Sequence, residues 1–284
     1  MVIKNNILVT GSNGQLGKSL QFISKKNPNF NFFFCSKNNL NITDYDAVEN
    51  YIKSYKISTI INCAAYTNVK SAENNFRSAN LVNCVAVRYL CELCHKYRIK
   101  LIHVSTDYVF DGKKKLPYNE NDKTNPVNNY GLTKLNGEKE ILNSSLEKSI
   151  IIRTSWLYSK YGNNFVKKII DNLELNKPFS VISDEIGSPT NSFDLAETIV
   201  SLLTKIDNKI PEIYHYSNSG YCSRFQFATF IKKILKSKTK IKSQIKKHQI
   251  RPNFTVLDNE KIISKFGLEK IDWKFSLQKM LDEY

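Results

Sequence analysis

A run of apolar residues that breaks on glycines near the start of the chain limits the fold more than any other feature. Ile7, Leu8 and Val9 read as a buried strand beginning near Ile3, and the stretch TGSNGQLG over 10–17 leads into a helical pattern reaching about Lys26. Strand, glycine turn and helix start, in that order, make a dinucleotide-binding entry. Gly11 permits the tight turn, Gly14 lets the backbone approach a pyrophosphate, and Gly17 lets the helix lie close to the sheet. Free N–H groups and the helix dipole favour an anion at that point. The spacing is G-x-x-G-x-x-G, not the dehydrogenase form G-x-G-x-x-G.

Further strand-like runs fall at 30–35, 57–62, 100–105 and 150–153. Helical patterns at 44–55 (with Thr43 as N-cap), at 80–97 and around Tyr130 lie between them. The alternation predicts an α/β chain: a Rossmann-type doubly wound parallel sheet over residues 1–158. After Trp156 the pattern changes to helices near 164–175, 194–204 and 225–235, with short strands near 179–182 and 213–216. No second glycine fingerprint follows. Residues 159–284 therefore read as mainly a smaller α/β substrate lobe covering a cleft, with some chain free to return to the first domain.

The second strand does not end in the Asp or Glu that would bind an NAD ribose. It runs into Ser36 and Lys37, a hydroxyl and a cation that tolerate a 2′-phosphate. NADPH is the expected cofactor, with NADH as the alternative. Small residues after the third strand, Ala64 and Ala65, would let a ligand come close to its C-terminal end.

Tyr130 and Lys134 stand four apart, on one helix face. A lysine charge beside a phenol would lower its pKa towards neutrality, so that it could protonate a carbonyl oxygen as hydride arrives at carbon. Thr106 would supply a second hydrogen bond to that oxygen.

The chain has 284 residues, 41% hydrophobic and 24% charged, and no apolar run approaches a membrane span. Its N-terminus lacks a cleavable signal pattern, which points to the cytoplasm. The formal charge is +16. Lys and Asn are abundant throughout, and the densest cluster, over 232–247, reads as an amphipathic, solvated segment with no aromatic interleaving. Nucleic acid is therefore not the expected partner, whereas a phosphate-bearing substrate suits the charge. The six cysteines show no disulfide framework. Cys91, Cys94 and His95 match C-x-x-C-H but lie inside an amphipathic helix pattern, so they read as structural and no metal site is assigned.

Taken together, 10–17, 40–44 (LNITD), 62–67 (NCAAYT), 105–112 (STDYVFDG), 117–118 (PY), 130–134 (YGLTK), 153–158 (RTSWLY), 162–166 (GNNFV), 187–190 (GSPT) and 251–252 (RP) resemble the extended short-chain dehydrogenase/reductase family, over nearly the whole chain. The resemblance implies NADPH- or NADH-dependent reduction of the 4-keto group of a dTDP- or UDP-linked 6-deoxy sugar. It places the catalytic residues at Thr106, Tyr130 and Lys134, with Lys134 also holding the nicotinamide ribose. Gly11, Asn13, Gly14, Gln15 and Leu16 would hold the pyrophosphate. Lys37, Asn41 and Ile42 would serve the adenosine end, and Ala64, Ala65 and Tyr66 the cofactor's path. Val69, Asp107, Tyr108 and Trp156 would face the sugar, and Arg251 the diphosphate. Asn41 departs from the family's usual Asp, though its carbonyl can still accept from an adenine amine. The glutamates of the family's magnesium-linked dimer have no placement here, so that dimer is not carried over, while Mg2+ and a homodimer stay open. Dehydratases of the family follow the catalytic Thr with Asp-Glu. Here Tyr108 follows Asp107, which removes the elimination base. An NAD-dependent epimerase, a bifunctional 3,5-epimerase/4-reductase and a non-catalytic NADP-binding regulatory subunit are the rival readings.

Overall fold

The computed structural model describes residues 5–245 and 250–282. β1 (Asn5–Thr10) turns through the glycines into α1 (Gln15–Ser24), and the expected start at Ile3 lies outside the described residues. β2 (Phe30–Cys35), α2 (Tyr45–Tyr55) and β3 (Thr59–Asn62) follow. Two short helices, α3 (Val69–Asn74) and α4 (Phe76–Asn80), lead through a π-helical turn at Leu81–Val85 into α5 (Ala86–Tyr97). β4 (Lys100–Thr106), α6 (Asn129–Asn143) and β5 (Ser149–Thr154) complete this half.

Two details differ from expectation. The N-cap of α2 is Asp44, whose side chain accepts from Ala47 N at 3.0 Å, while Thr43 donates its N–H to Asn41 Oδ1. The 80–97 helix is not uniform, because the π turn interrupts it.

The second half contains β6 (Leu157–Tyr158), α7 (Phe165–Glu174), β7 (Phe179–Ile182), β8 (Ile186–Gly187) and β9 (Thr190–Asn191). It continues with α8 (Ser192–Leu202), β10 (Glu212–His215), β11 (Cys222–Ser223) and α9 (Arg224–Ile234). β12 (Ile241–Gln244), β13 (Phe254–Thr255), α10 (Glu260–Phe266) and α11 (Trp273–Asp282) close the chain.

The central sheet is parallel throughout, in the order β10-β5-β4-β3-β1-β2. Side-chain alternation divides it cleanly. Ile7, Val9, Ile61, Ile150 and Ile152 face the layer of α1, α8 and α10. Leu8, Ile60, Leu101 and Ile151 face α2, α5 and α6. Each such Leu or Ile, fully buried, stabilises the fold by about 1.5–3 kcal/mol.

The strand expected near 213–216 in the smaller lobe is β10, and it pairs with β5 at the sheet's edge. It is a four-residue strand after a long excursion, so proximity in sequence suggested the wrong neighbours. α8 also returns to the first layer, packing on α1 with Ser19 Oγ and Ser192 Oγ 2.6 Å apart. The other core gathers α7, α9 and α11 around Tyr158, Phe227 and Trp273. The lysine-rich stretch splits between the end of α9 and β12, which runs parallel to β7, and its last two lysines lie outside the described residues. Among the described residues no helix is long and apolar enough to cross a membrane.

Candidate active site

The sheet order reverses between β1 and β3, and the crevice at such a switch point is where open α/β sheets take ligands. Gly11 sits there with φ 65°, and a Cβ on it would lie 2.7 Å from Ala64 N. A Cβ on Gly17 would meet Gly11 O at 2.6 Å, so α1 has to carry glycine where it crosses the turn. Gly14 caps α1 without a side-chain hydrogen bond, which leaves the first N–H groups of the helix for an anion. Asn13 is exposed beside them. Gln15 is tied across to the second half: it accepts from Ser159 Oγ at 3.1 Å and reaches Leu157 O at 3.5 Å. The Leu16 side chain belongs to the core, so only its backbone faces outward chemistry.

At the adenosine end, Lys37 is exposed, while Ser36 is buried and spends its hydroxyl on Asn39 Oδ1 at 2.6 Å. Asn41 Oδ1 accepts from Thr43 N at 3.2 Å, and Ile42 is buried. Ala64, Ala65 and Tyr66 are half-buried. The tyrosine is fixed at both ends: its N–H donates to Asn83 Oδ1 at 2.8 Å and its hydroxyl lies 2.6 Å from Ser71 Oγ.

The end of β4 brings together Thr106, Asp107, Tyr108 and Tyr130. Thr106 Oγ1 donates to Asp107 Oδ1 at 3.1 Å and accepts from Tyr108 N at 3.2 Å, which starts a 3-10 turn there. Tyr108 packs edge-on against Tyr130, with ring centroids 5.8 Å apart. Tyr130 enters from α6, whose N-cap Asn128 accepts from Gly131 N at 2.7 Å. A Cβ on Gly131 would sit 2.1 Å from Tyr108 O, so glycine is what lets this helix approach the 3-10 turn.

The expectation that Lys134 lowers the Tyr130 pKa is corrected. Burial drives the phenol well above its ordinary value, and the neighbouring Thr106 hydroxyl only partly opposes that. The Lys134 ammonium donates to Val104 O at 2.7 Å and meets His103 Nε2 at 3.0 Å. Burial brings its own pKa down to about 8, against the pull of Glu138. Tyr130 is therefore a protonated acid across the physiological range.

On the other side of Thr106, burial pushes the Asp107 carboxyl up to about 6, and its Oδ2 has no hydrogen-bond partner among the described residues. Burial also pushes Tyr108 up to about 12, with the Arg251 charge pulling it back. Trp156 is half-buried and holds φ at 44°, a left-handed backbone uncommon for a bulky side chain. Its ring carries the Arg224 guanidinium, whose Cζ lies 3.5 Å from the centroid, and Glu185 Oε2 is 3.7 Å from Arg224 Nε. Val69 stands apart from this group, opening α3, which packs on α6. Among the described residues no cluster of His, Cys, Asp or Glu has the make-up of a metal site. Cys91 and Cys94 are buried thiols.

The family description "RmlD substrate binding domain" matches residues 5–284. The chain belongs to this family. A dTDP-4-dehydrorhamnose reductase of Aggregatibacter actinomycetemcomitans is 36% identical over 285 residues, covering 96% of this chain and 97% of the relative. That of Escherichia coli K12 is 32% identical over 298 residues, covering 98% and 97%. A crystal structure of dTDP-4-dehydrorhamnose reductase from Bacillus anthracis in complex with NADP matches with a TM-score of 0.92 at 33% identity, covering 99% of each chain.

Within this RmlD-type frame, several residues went unnoticed in the sequence. Asn83 links the Tyr66 loop to α6 through Thr133 Oγ1 at 3.0 Å. His103 and Asn62 lie behind Lys134, and Arg224 lies on Trp156. A visible signal existed for Asn83 and His103, since each is a polar residue on an apolar, inward-facing position. Arg224 gave none, because α9 reaches the site only through the tertiary fold.

Proposed function

We propose that this chain reduces the 4-keto group of dTDP-4-dehydro-L-rhamnose with NADPH, giving dTDP-L-rhamnose. This reading rests on Thr106 at the end of β4, Tyr130 beside it on α6 and Lys134 bonded to Val104 O of the same strand, together with an uncapped helix start after β1. It is supported by full-length relatives that bear the reductase name. The fit to a dinucleotide rests on that helix start, on the close approach of Gly11 to Ala64, and on an ammonium with a proton left over after Val104 and His103. The cofactor, when bound, supplies the hydride.

The chain's own residues do the rest. Tyr130, held protonated by burial, gives its proton to the sugar oxygen. Thr106, fixed by Asp107 and Tyr108, steadies that oxygen as charge develops. Lys134 offers its remaining N–H to the ribose hydroxyls. Trp156 and Tyr108 flank the sugar, and Arg251 with Arg224 sets positive charge where a diphosphate would lie.

The test follows loss of the reduced-nicotinamide absorbance with dTDP- and UDP-linked 4-keto-6-deoxy sugars. Turnover that depends on the dTDP sugar supports the reading. A protein that holds NAD tightly and ignores NADPH would overturn it in favour of an epimerase.

A further inference from the structure

The surroundings of Lys134 go beyond what a ribose contact needs. His103 Nε2 lies 3.0 Å from its Nζ, and His103 Nδ1 lies 3.0 Å from Asn62 Nδ2. Asn62 Oδ1 accepts from the Thr10 hydroxyl at 2.6 Å. This chain crosses β4, β3 and β1 in turn and is sealed from solvent, since His103 and Asn62 have no exposed surface and Thr10 and Lys134 have 1%. Burial first, and the Lys134 charge second, hold the imidazole pKa well below its ordinary range, so the ring carries a single proton.

A neutral imidazole donates at one nitrogen and accepts at the other. When Lys134 is an ammonium, Nε2 has to accept, so the proton sits on Nδ1 and needs the Asn62 carbonyl. When Lys134 is an amine, an Nε2–H can donate to it, and Nδ1 accepts from the Asn62 amide NH2. The two arrangements differ by a half-turn of the Asn62 amide and leave every heavy-atom position nearly unchanged. In the first, the Asn62 NH2 donates to Thr10 Oγ1; in the second, Thr10 donates to the Asn62 carbonyl. In both arrangements His103 and Asn62 keep their partners within the chain; in the first, Thr10 Oγ1 accepts from the Asn62 NH2 as well as from Ala64 N.

We propose that His103, oriented by Asn62, is a positioning residue for Lys134: its tautomer follows the lysine's charge, so Nζ keeps one position whether or not it is protonated. This rests on Lys134 acting in the reductase site. The other titratable groups that bear on Lys134 are few. Glu138, one turn along α6, favours the ammonium and is itself held by Arg153 of β5 and Ser105 of β4. The Cys63 thiol, after β3, is pushed up to about 12 by burial and stays neutral. Neither touches Nζ as His103 does.

Nitrogen-15 NMR of the His103 ring in the wild-type protein tests this without substrate. As pH rises through about 8, where Lys134 discharges, the protonated nitrogen should change from Nδ1 to Nε2. In Lys134→Met the ring should keep one tautomer throughout. A wild-type ring that holds one tautomer from about pH 6 to 10 overturns the proposal. Kinetics give a second readout. His103→Gln keeps an acceptor near the Nε2 position and His103→Leu does not. In the Leu variant the alkaline limb of kcat should move down by about half a unit, and the Gln variant should recover it. A Leu variant with the wild-type limb also overturns the proposal. Wild-type protein inactive on every keto-sugar nucleotide would sink the reductase reading and leave the NMR result standing.

Discussion

Asp107 and Tyr130 are neighbours that burial drives in the same direction with opposite consequences. For Tyr130 a raised pKa keeps the proton that the proposed reduction would spend. Tyr130→Phe should therefore bind NADPH nearly as tightly as wild type, by fluorescence titration, while turnover falls by about two orders of magnitude or more. For Asp107 the raised pKa is a cost. Its folded value of about 6 lies above the ordinary 3.8, so between these pH values the native state binds more protons than the unfolded chain. Stability then falls as pH rises through that window, and the loss is complete about a unit above the folded value of about 6. Asp107→Asn should thus gain about 2 kcal/mol relative to wild type at pH 7 and little at pH 3.5, measured by urea unfolding at both. A substitution that stabilises the fold and slows the substrate step would mark Asp107 as kept for chemistry.

The π turn at Leu81–Val85 is the element that does most for the site after α6. It aims Asn83 inward, where the side chain receives the Tyr66 N–H and donates to Tyr66 O and Thr133 Oγ1. Single π turns often mark functional positions in this way. Asn83→Leu should raise the KM for NADPH severalfold with a smaller change in kcat, because it frees the loop proposed to line the cofactor's path and leaves Tyr130 in place; steady-state kinetics at saturating sugar would show it. Gly137 faces the same turn, and a Cβ there would stand 2.1 Å from Asn83 O. Gly137→Ala should lower stability by about 1–3 kcal/mol, seen as a reduced Tm, despite alanine's better helix propensity. The π turn itself was not legible in the sequence. Leu81, Val85, Leu90 and Leu93 fit a 3.6-residue period well enough to hide one extra residue in a turn. The strand-turn-helix of Ile7 to Gly17 was legible because its glycines have no substitute at those backbone approaches.

At the scale of the molecule, the β10 edge and the α8 layer make the first half dependent on the second. Residues 1–158 alone would leave Ile7, Val9, Ile150 and Ile152 without Leu195, Ile199 and Tyr214, which share their core. That fragment should show no cooperative thermal transition by circular dichroism, whereas the full chain should. The parallel order of the first strands could be read from their alternation with helices. The return of β10 could not, since a four-residue strand carries little pattern and its partner lies about sixty residues earlier. The Tyr130 environment was misread for a related reason: i,i+4 spacing places Lys134 on the same helix face but says nothing of where the amine ends, and here it is bonded to His103 and Val104. Edge closure by so late a strand also matters during synthesis. Until Glu212–His215 has left the ribosome, the nascent chain carries an unpaired border along β5, so completion of the sheet waits on translation.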